Sequence, residues 1–259
     1  MNLIGVLAVV TSVVAFGFTH WKLCQKPLLT RSVTFGVLAI LSIPALLSTI
    51  YYFHVLPEVA WFYTMRSWRG SEFLVIFLGA AGGAAAALLP RWLVVFPLFG
   101  SICLAVVPYL KPVINPLDLS SLNEEWDGDA CLQSTSSTCG PASTASILRN
   151  LGVNSSESEI ARAAFTSASG TEAWYLARYV RSRGLGARFN FNPTFSTSAG
   201  FPAMIGVRVG GYGHFIAVLD VRGDQVTYVD PLSGNSRLPT SEFLRRYEFT
   251  GFHMVVSKT

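Results

Sequence analysis

The chain has 259 residues, 51% of them hydrophobic and 13% charged, with a formal net charge of +4. Soluble domains carry about 25% charged residues, so this chain is depleted in charge, which weighs against a uniformly soluble protein; the shortfall is concentrated in residues 1–110, which hold long apolar runs. Nucleic-acid binding is excluded as the meaning of the positive charge, because Lys and Arg form no cluster and several flank apolar runs.

The first element is the apolar run Leu3 to Phe18. A cleaved signal peptide would place Lys or Arg before such a run; here Lys22, Lys26 and Arg31 come after it, and more apolar runs follow. The second run, Val33 to Val55, meets the roughly 20 residues that a bilayer core requires. Its Pro44 is tolerable in lipid, where neighbouring groups satisfy the carbonyl that proline frees. The third, Phe73 to Leu89, has a small-residue core from Gly79 to Ala87, and small residues let helix backbones approach closely in a membrane. Pro90-Arg91 sets off the fourth, Trp92 to Leu110.

Residues 1–111 are therefore expected to form an all-α transmembrane region of about four helices, at 3–18, 33–55, 73–89 and 92–110, with the lipid bilayer as partner. Gly79, Gly82 and Gly83 offer a face either for packing these helices together or for a helix of another protein. The expected setting is a multi-pass protein of a bacterial inner (cytoplasmic) membrane. With four spans, Lys22, Lys26, Arg31 and Arg91 share one side; Arg66, Arg69 and Lys111 share the other with the C-terminal half. The positive-inside rule then points that half to the extracytoplasmic side.

Residues 112–125 read as a linker, because Pro112, Pro116, Asp118, Ser120, Ser121 and Asn123 are turn formers. The domain at 126–259 reads as α+β, helices followed by an antiparallel sheet. Helices are predicted at Cys139–Leu151, at Ser156–Ala164 with a Ser156-x-x-Glu159 capping box, and at Thr171–Arg183 with Thr171 as N-cap. Strands are predicted at Ala187–Phe191, Ala203–Val209, His214–Arg222, Gln225–Asp230 and Gly251–Val256, with Gly223-Asp224 as a hairpin turn. The four cysteines include no C-x-x-C pair and no Cys/His cluster with zinc spacing. No disulfide framework, metal or cofactor is expected.

A thiol nucleophile needs activation, an oriented base and donors for the developing oxyanion. Cys139 opens a predicted helix, whose N-terminal partial charge favours a thiolate. Pro141 suits the first turn, and Gly140 leaves room for a substrate backbone. Gln133 lies upstream, and its amide N–H can join a backbone N–H in an oxyanion hole. His214 opens a strand after Gly210, Gly211 and Gly213, where it can face a cleft, whereas His253 sits inside the last strand and reads as a packing or surface residue. Asp230 ends the hairpin partner of His214's strand, which brings the two side by side. Cys131 has no partner in this set. A Cys131–Cys139 disulfide, conceivable outside the cytoplasm, would block the nucleophile.

These residues, in this order, resemble the C39 peptidases, papain-like cysteine peptidases best known as double-glycine leader peptidases fused to bacteriocin-exporting ABC transporters. The shared pattern is Gln133 six positions before Cys139-Gly140, then Gly213-His214-Phe215, then Asp230-Pro231 with Gly234, and a closing Ser241-Glu242-Phe243 and Gly251. The resemblance spans about 126–257 and implies a papain-like fold cleaving a peptide or protein substrate near the membrane. It implies Cys139 as nucleophile, His214 as base, Asp230 as the group that orients it and Gln133 as oxyanion donor. Amidases and acyltransferases run related folds through the same thioester. A non-catalytic, peptide-binding module of this fold would be marked by loss of Cys, His or Gln; all three stand here. No Gly-x-x-x-x-Gly-Lys-Ser/Thr loop is present and the membrane region precedes the domain, so the double-glycine substrate rule is not carried over.

Overall fold

A continuous apolar run and an alternating one demand different packing. The computed structural model, which describes residues 2–259, contains both kinds. The chain divides into two compact units. One takes residues up to Pro57 together with Arg69–Val113; the other takes Glu58–Trp68 together with Ile114–Thr259.

The first unit holds α1 (Leu3–Leu23) and α2 (Leu28–Tyr52). After α3 (Ala60–Arg66), which belongs to the second unit, it continues with α4 (Val75–Ala87) and α5 (Val95–Val106). Asn2 caps α1, its Oδ1 accepting from the Gly5 N–H at 3.0 Å. α4 is the buried centre, and α1, α2 and α5 pack against it. A Cβ on Gly79 would run into the Ser12 carbonyl, one on Gly83 into the Phe16 carbonyl, and one on Gly82 into the Ser101 hydroxyl. The small-residue face is thus filled by α1 and α5.

The polarity of this unit is inverted. Leu7, Val14 and Phe18 of α1, Val33, Val37 and Ile40 of α2, and Phe96 and Phe99 of α5 are exposed. Ser12 and Thr49 are buried and donate to the carbonyls of Val75 (2.7 Å) and Leu104 (2.8 Å). Apolar groups outside and satisfied polar groups inside are what lipid requires. Leu3–Leu23, Leu28–Tyr52 and Arg91–Tyr109 are long and apolar enough to cross a membrane; a fourth span results if the bent pair Ala60–Arg66 and Ser71–Ala87 counts as one. α4 alone has 13 residues. At about 1.5 Å each it falls short of the roughly 30 Å hydrocarbon core.

After a single turn, α6 (Lys111–Ile114), the second unit begins with a two-stranded ribbon, β1 (Glu125–Asp127) and β2 (Ala130–Leu132). Three helices follow: α7 (Cys139–Asn150), α8 (Glu157–Ala163) and α9 (Ala173–Ser182). The sheet strands are β3 (Leu185–Phe191), β4 (Ala203–Val209), β5 (Tyr212–Arg222), β6 (Gln225–Asp230), β7 (Gly234–Pro239) and β8 (Glu248–Lys258), with α10 (Thr240–Arg246) before the last. All pairings are antiparallel, in the order β3-β8-β4-β5-β6-β7. This is the expected α+β arrangement of helices and then an antiparallel sheet. Ser156 caps α8, accepting from the Glu159 N–H at 3.0 Å. The N-cap of α9 is Glu172 rather than Thr171, whose hydroxyl lies 2.8 Å from that of Thr166.

Strand alternation sorts the sheet residues. Ile205, Val207, Ile216, Val218, Val226 and Tyr228 form one buried cluster with Phe243 and Tyr247. Phe215 and Met204 instead meet α7: the Ser143 hydroxyl donates to the Phe215 carbonyl at 2.9 Å, and the Thr144 hydroxyl lies 4.0 Å from Met204 Sδ. α3 completes this unit. Its Tyr63 ring lies 5.1 Å from Trp174, 5.2 Å from Phe189 and 5.0 Å from Phe191. Arg178 donates to the carbonyls of Arg66 and Trp68, both at 2.9 Å, and Arg181 to the Ser67 hydroxyl.

Candidate active site

The site is assembled from three chain segments, each fixed by ordinary packing. The first is the stretch from β2 into α7. The Cys131 N–H donates to the Ser146 hydroxyl at 2.9 Å, and the Arg149 guanidinium lies 3.5 Å from the Trp126 ring centroid, so the β1–β2 ribbon is bound to α7. Gln133 leaves the ribbon and donates its backbone N–H to the Pro231 carbonyl at 2.9 Å. Six residues later α7 begins with Cys139, which is partly exposed. Thr138 precedes it without a side-chain cap, so the first-turn N–H groups have no side-chain acceptor there. A Cβ at Gly140 would lie 2.9 Å from Leu176 Cδ1 and 3.4 Å from Phe215 Cδ2. This glycine therefore allows close packing of α7 on α9 and β5.

β5 and β6 supply the other two segments. Ala217 pairs with Val229, so Asp230 comes one step past that pair and His214 lies diagonally beyond it. His214 Nε2 meets Asp230 Oδ1 at 2.8 Å, and both side chains are buried. A carboxylate only accepts hydrogen bonds, so Nε2 carries the proton and Nδ1 is left for the Cys139 thiol. Asp230 Oδ1 also accepts from the Leu232 N–H at 3.0 Å, and Oδ2 accepts from the Tyr247 hydroxyl at 2.6 Å. Burial alone would raise the Asp230 carboxyl; the His214, Tyr247 and Leu232 donors outweigh it and hold the pKa below its ordinary 3.8. Burial likewise disfavours a charged His214, but hydrogen bonds with Asp230 and Cys139 and the charges of both raise it to about 9.

Gln133 turns inward. Its Nε2 donates to the Thr135 carbonyl at 2.7 Å, and Oε1 is buried without a partner. Cys131 is buried, and burial, followed by the nearby Glu157 charge, pushes its thiol up. All four cysteines are free thiols. His253 is buried in β8 against the Gly200 carbonyl, 3.1 Å from Nε2, and burial lowers its pKa. Among the described residues no cluster of three or more His, Cys, Asp or Glu could hold a metal. Two supporting residues escape sequence reasoning: Tyr247, behind Asp230, and Glu157, which accepts from the Ser134 N–H at 2.9 Å and from the Ser134 hydroxyl. Neither belongs to a spacing motif; each acts across elements distant in the chain.

Comparison with known proteins gives a family model, the Peptidase C39 family, matching residues 129–259. An uncharacterized protein of Methanothermobacter marburgensis is 36% identical over 129 residues, covering 49% of this chain and 86% of the relative. A "probable functional amyloid protease FapD" of Pseudomonas fluorescens is 27% identical over 135 residues, covering 49% of this chain and 60% of the relative. Among solved structures, the double glycine motif protease from an AMS/PCAT transporter, in complex with the leader peptide, is 23% identical with a TM-score of 0.42, covering 53% of this chain and 91% of that one.

Proposed function

Because this chain belongs to the Peptidase C39 family, we propose that it is a membrane-anchored thiol peptidase in which Cys139 attacks the peptide carbonyl. The observation that carries the reading is the buried His214, whose Nε2 meets Asp230 Oδ1 at 2.8 Å, with the helix-start thiol of Cys139 among the neighbours that raise its pKa. With its pKa raised to about 9, His214 stays protonated at neutral pH and can protonate the departing amine. Cys139 Sγ adds to the carbonyl carbon, the C–N bond breaks as the amine takes its proton from His214, and a thioester remains. Water then adds to the thioester with His214 as base, and the thiol is regenerated. Asp230 holds the ring in the required tautomer.

Gln133 is assigned the oxyanion. One Nε2 hydrogen is engaged by the Thr135 carbonyl, which leaves the second for the substrate, beside the first turn of α7, which has no side-chain cap. Similarity to FapD, a probable functional amyloid protease, supports proteolysis as the chemistry. The catalytic unit is joined covalently to the apolar unit at three places, after Pro57, Trp68 and Val113. That connection confines the site to the neighbourhood of the bilayer and favours a membrane-associated substrate. If the bent pair counts as one span and the chain crosses four times, the Lys and Arg asymmetry favours the extracytoplasmic side of a multi-pass inner-membrane protein.

The test is turnover of a peptide p-nitroanilide panel by the full chain in liposomes, with Cys139→Ala and Gln133→Ala beside it. Cys139→Ala should abolish release. Gln133→Ala should lower kcat by ~10²–10³ with little change in KM. Full activity without Cys139 defeats the proposal. Labelling of Cys139 by a membrane-impermeant maleimide in right-side-out vesicles, but not in inverted ones, supports the sidedness; the reverse pattern refutes it.

A further inference from the structure

The loop from Gln133 to Cys139 carries two of the groups used above, so its shape governs their geometry. Its hub is the Thr135 carbonyl, which accepts from Gln133 Nε2 at 2.7 Å, from the Thr138 N–H at 3.2 Å and from the Thr138 hydroxyl at 3.0 Å. These bonds shape the loop internally and do not fix it to the rest of the unit. The ties outward are the Gln133 N–H on the Pro231 carbonyl (2.9 Å), the Ser137 hydroxyl on the Ala168 carbonyl (2.5 Å), and Glu157.

Glu157 opens α8 and is fully buried. Its Oε1 accepts from the Ser134 N–H at 2.9 Å and its Oε2 from the Ser134 hydroxyl. Ser134 stands between Gln133 and Thr135, the residue whose carbonyl holds the Gln133 amide. Two bonds to one residue fix orientation as well as position. A buried carboxylate can only accept, so any other arrangement of Ser134 leaves buried charge unpaired, a costly state. The chemistry proposed above makes no use of this carboxylate.

We infer that Glu157 is a positioning residue for the oxyanion site: by clamping both donors of Ser134 it sets the Thr135 carbonyl and, through it, the Gln133 amide. This rests on the reading of Cys139 as nucleophile and Gln133 as oxyanion donor.

The experiment compares two reactions of the same thiol in the full chain in detergent micelles. With p-nitrophenyl acetate, Sγ adds to the carbonyl carbon, an oxyanion forms, the C–O bond breaks and p-nitrophenolate leaves with the electron pair. With iodoacetamide, Sγ displaces iodide at a tetrahedral carbon, and no oxyanion forms. Release from the ester is corrected by Cys139→Ala, and alkylation is read by mass at Cys139. Glu157→Ala should slow p-nitrophenolate release ~10–10²-fold, since a ~1 Å misplacement costs up to that much. Iodoacetamide alkylation should be unchanged. Glu157→Gln keeps an acceptor for the Ser134 N–H and should restore most of the release. Ser134→Ala, which keeps the N–H bond alone, should fall between. Adding Glu157→Ala to Gln133→Ala should cause no further loss. Equal losses in both reactions, or unchanged release in Glu157→Ala while Gln133→Ala is impaired, overturn the inference. Unchanged release in Gln133→Ala, or full release in Cys139→Ala, overturns the reading of the site itself and the inference with it.

Discussion

The two units solve opposite solvation problems with the same twenty side chains. In the first, Phe18, Ile40 and Phe96 face outward while Ser12 and Thr49 are buried on backbone carbonyls. In the second, Ile205, Ile216 and Val218 are buried and the charged residues lie mostly at the surface. Helices so patterned would gain little in lipid from hiding apolar surface, and in the first unit the helices approach one another closely at Gly79 and Gly83. The second unit is held by hydrophobic burial, and the buried ionisable groups around its site, the His214–Asp230 pair and Glu157, are hydrogen-bonded. The difference teaches where each unit is vulnerable.

The largest effect should come from that buried pair. His214→Ala should lower turnover by ~10²–10⁴, the usual worth of a general acid–base group, with the apolar unit's assembly untouched. The pKa shifts also set pH windows. The folded His214 pKa lies above its ordinary 6.5, so its contribution to stability is complete below about 6.5 and is lost as pH rises through about 9. Asp230 lies below its ordinary 3.8, so its contribution is present above 3.8 and lost as pH falls through the depressed value. Turnover should fall above about pH 9 as the imidazolium is lost; a pH–rate profile flat through that range would break the assignment.

Next comes the stretch that crosses the comparison. Tyr63 lies in a chain segment flanked by the apolar unit, yet it packs among Trp174, Phe189 and Phe191. Tyr63→Ala should destabilise the catalytic unit by ~3–5 kcal/mol, the range for buried aromatics, seen as a lower Tm. An unchanged Tm would show that α3 is an ornament on this unit.

How much of this was legible follows the range of each signal. Cys139, His214 and Asp230 sit at a helix start and two strand ends, positions that periodicity and turn residues mark locally. β7 was not legible because Gly234-Asn235-Ser236-Arg237-Leu238-Pro239 has little strand propensity and is ordered by pairing with β6 at the sheet edge. α3 is seven residues long, too short for a periodic signal, and its membership in the catalytic unit is a tertiary fact. Glu157 and Tyr247 reach Ser134 and Asp230 across elements, where no spacing rule applies. Gly140 is marked in the sequence by its place after Cys139, but only the fold reveals Leu176 packed above it.

A smaller effect tests the apolar unit by itself. Gly79→Leu pushes a side chain into the Ser12 carbonyl and should cost ~1–3 kcal/mol, as overpacking does. The readout is lowered resistance of the helices to detergent denaturation, with Cys139 alkylation per folded molecule unchanged. Loss of alkylation in proportion to turnover would show that the two units are not separately vulnerable. The smallest effect belongs to Cys131, a buried thiol that bonds no catalytic group. Cys131→Ser should leave turnover and its response to reductant unchanged, and a strict need for Cys131 would return it to the chemistry.

The central claim, that one of four thiols forms the covalent intermediate, is tested most directly by rapid acid quench during turnover of a peptide ester, followed by mass analysis of every cysteine. The account predicts the acyl mass on Cys139 alone, and neither adduct nor turnover in Cys139→Ala. An acyl group on another residue, or undiminished turnover in Cys139→Ala, would contradict it.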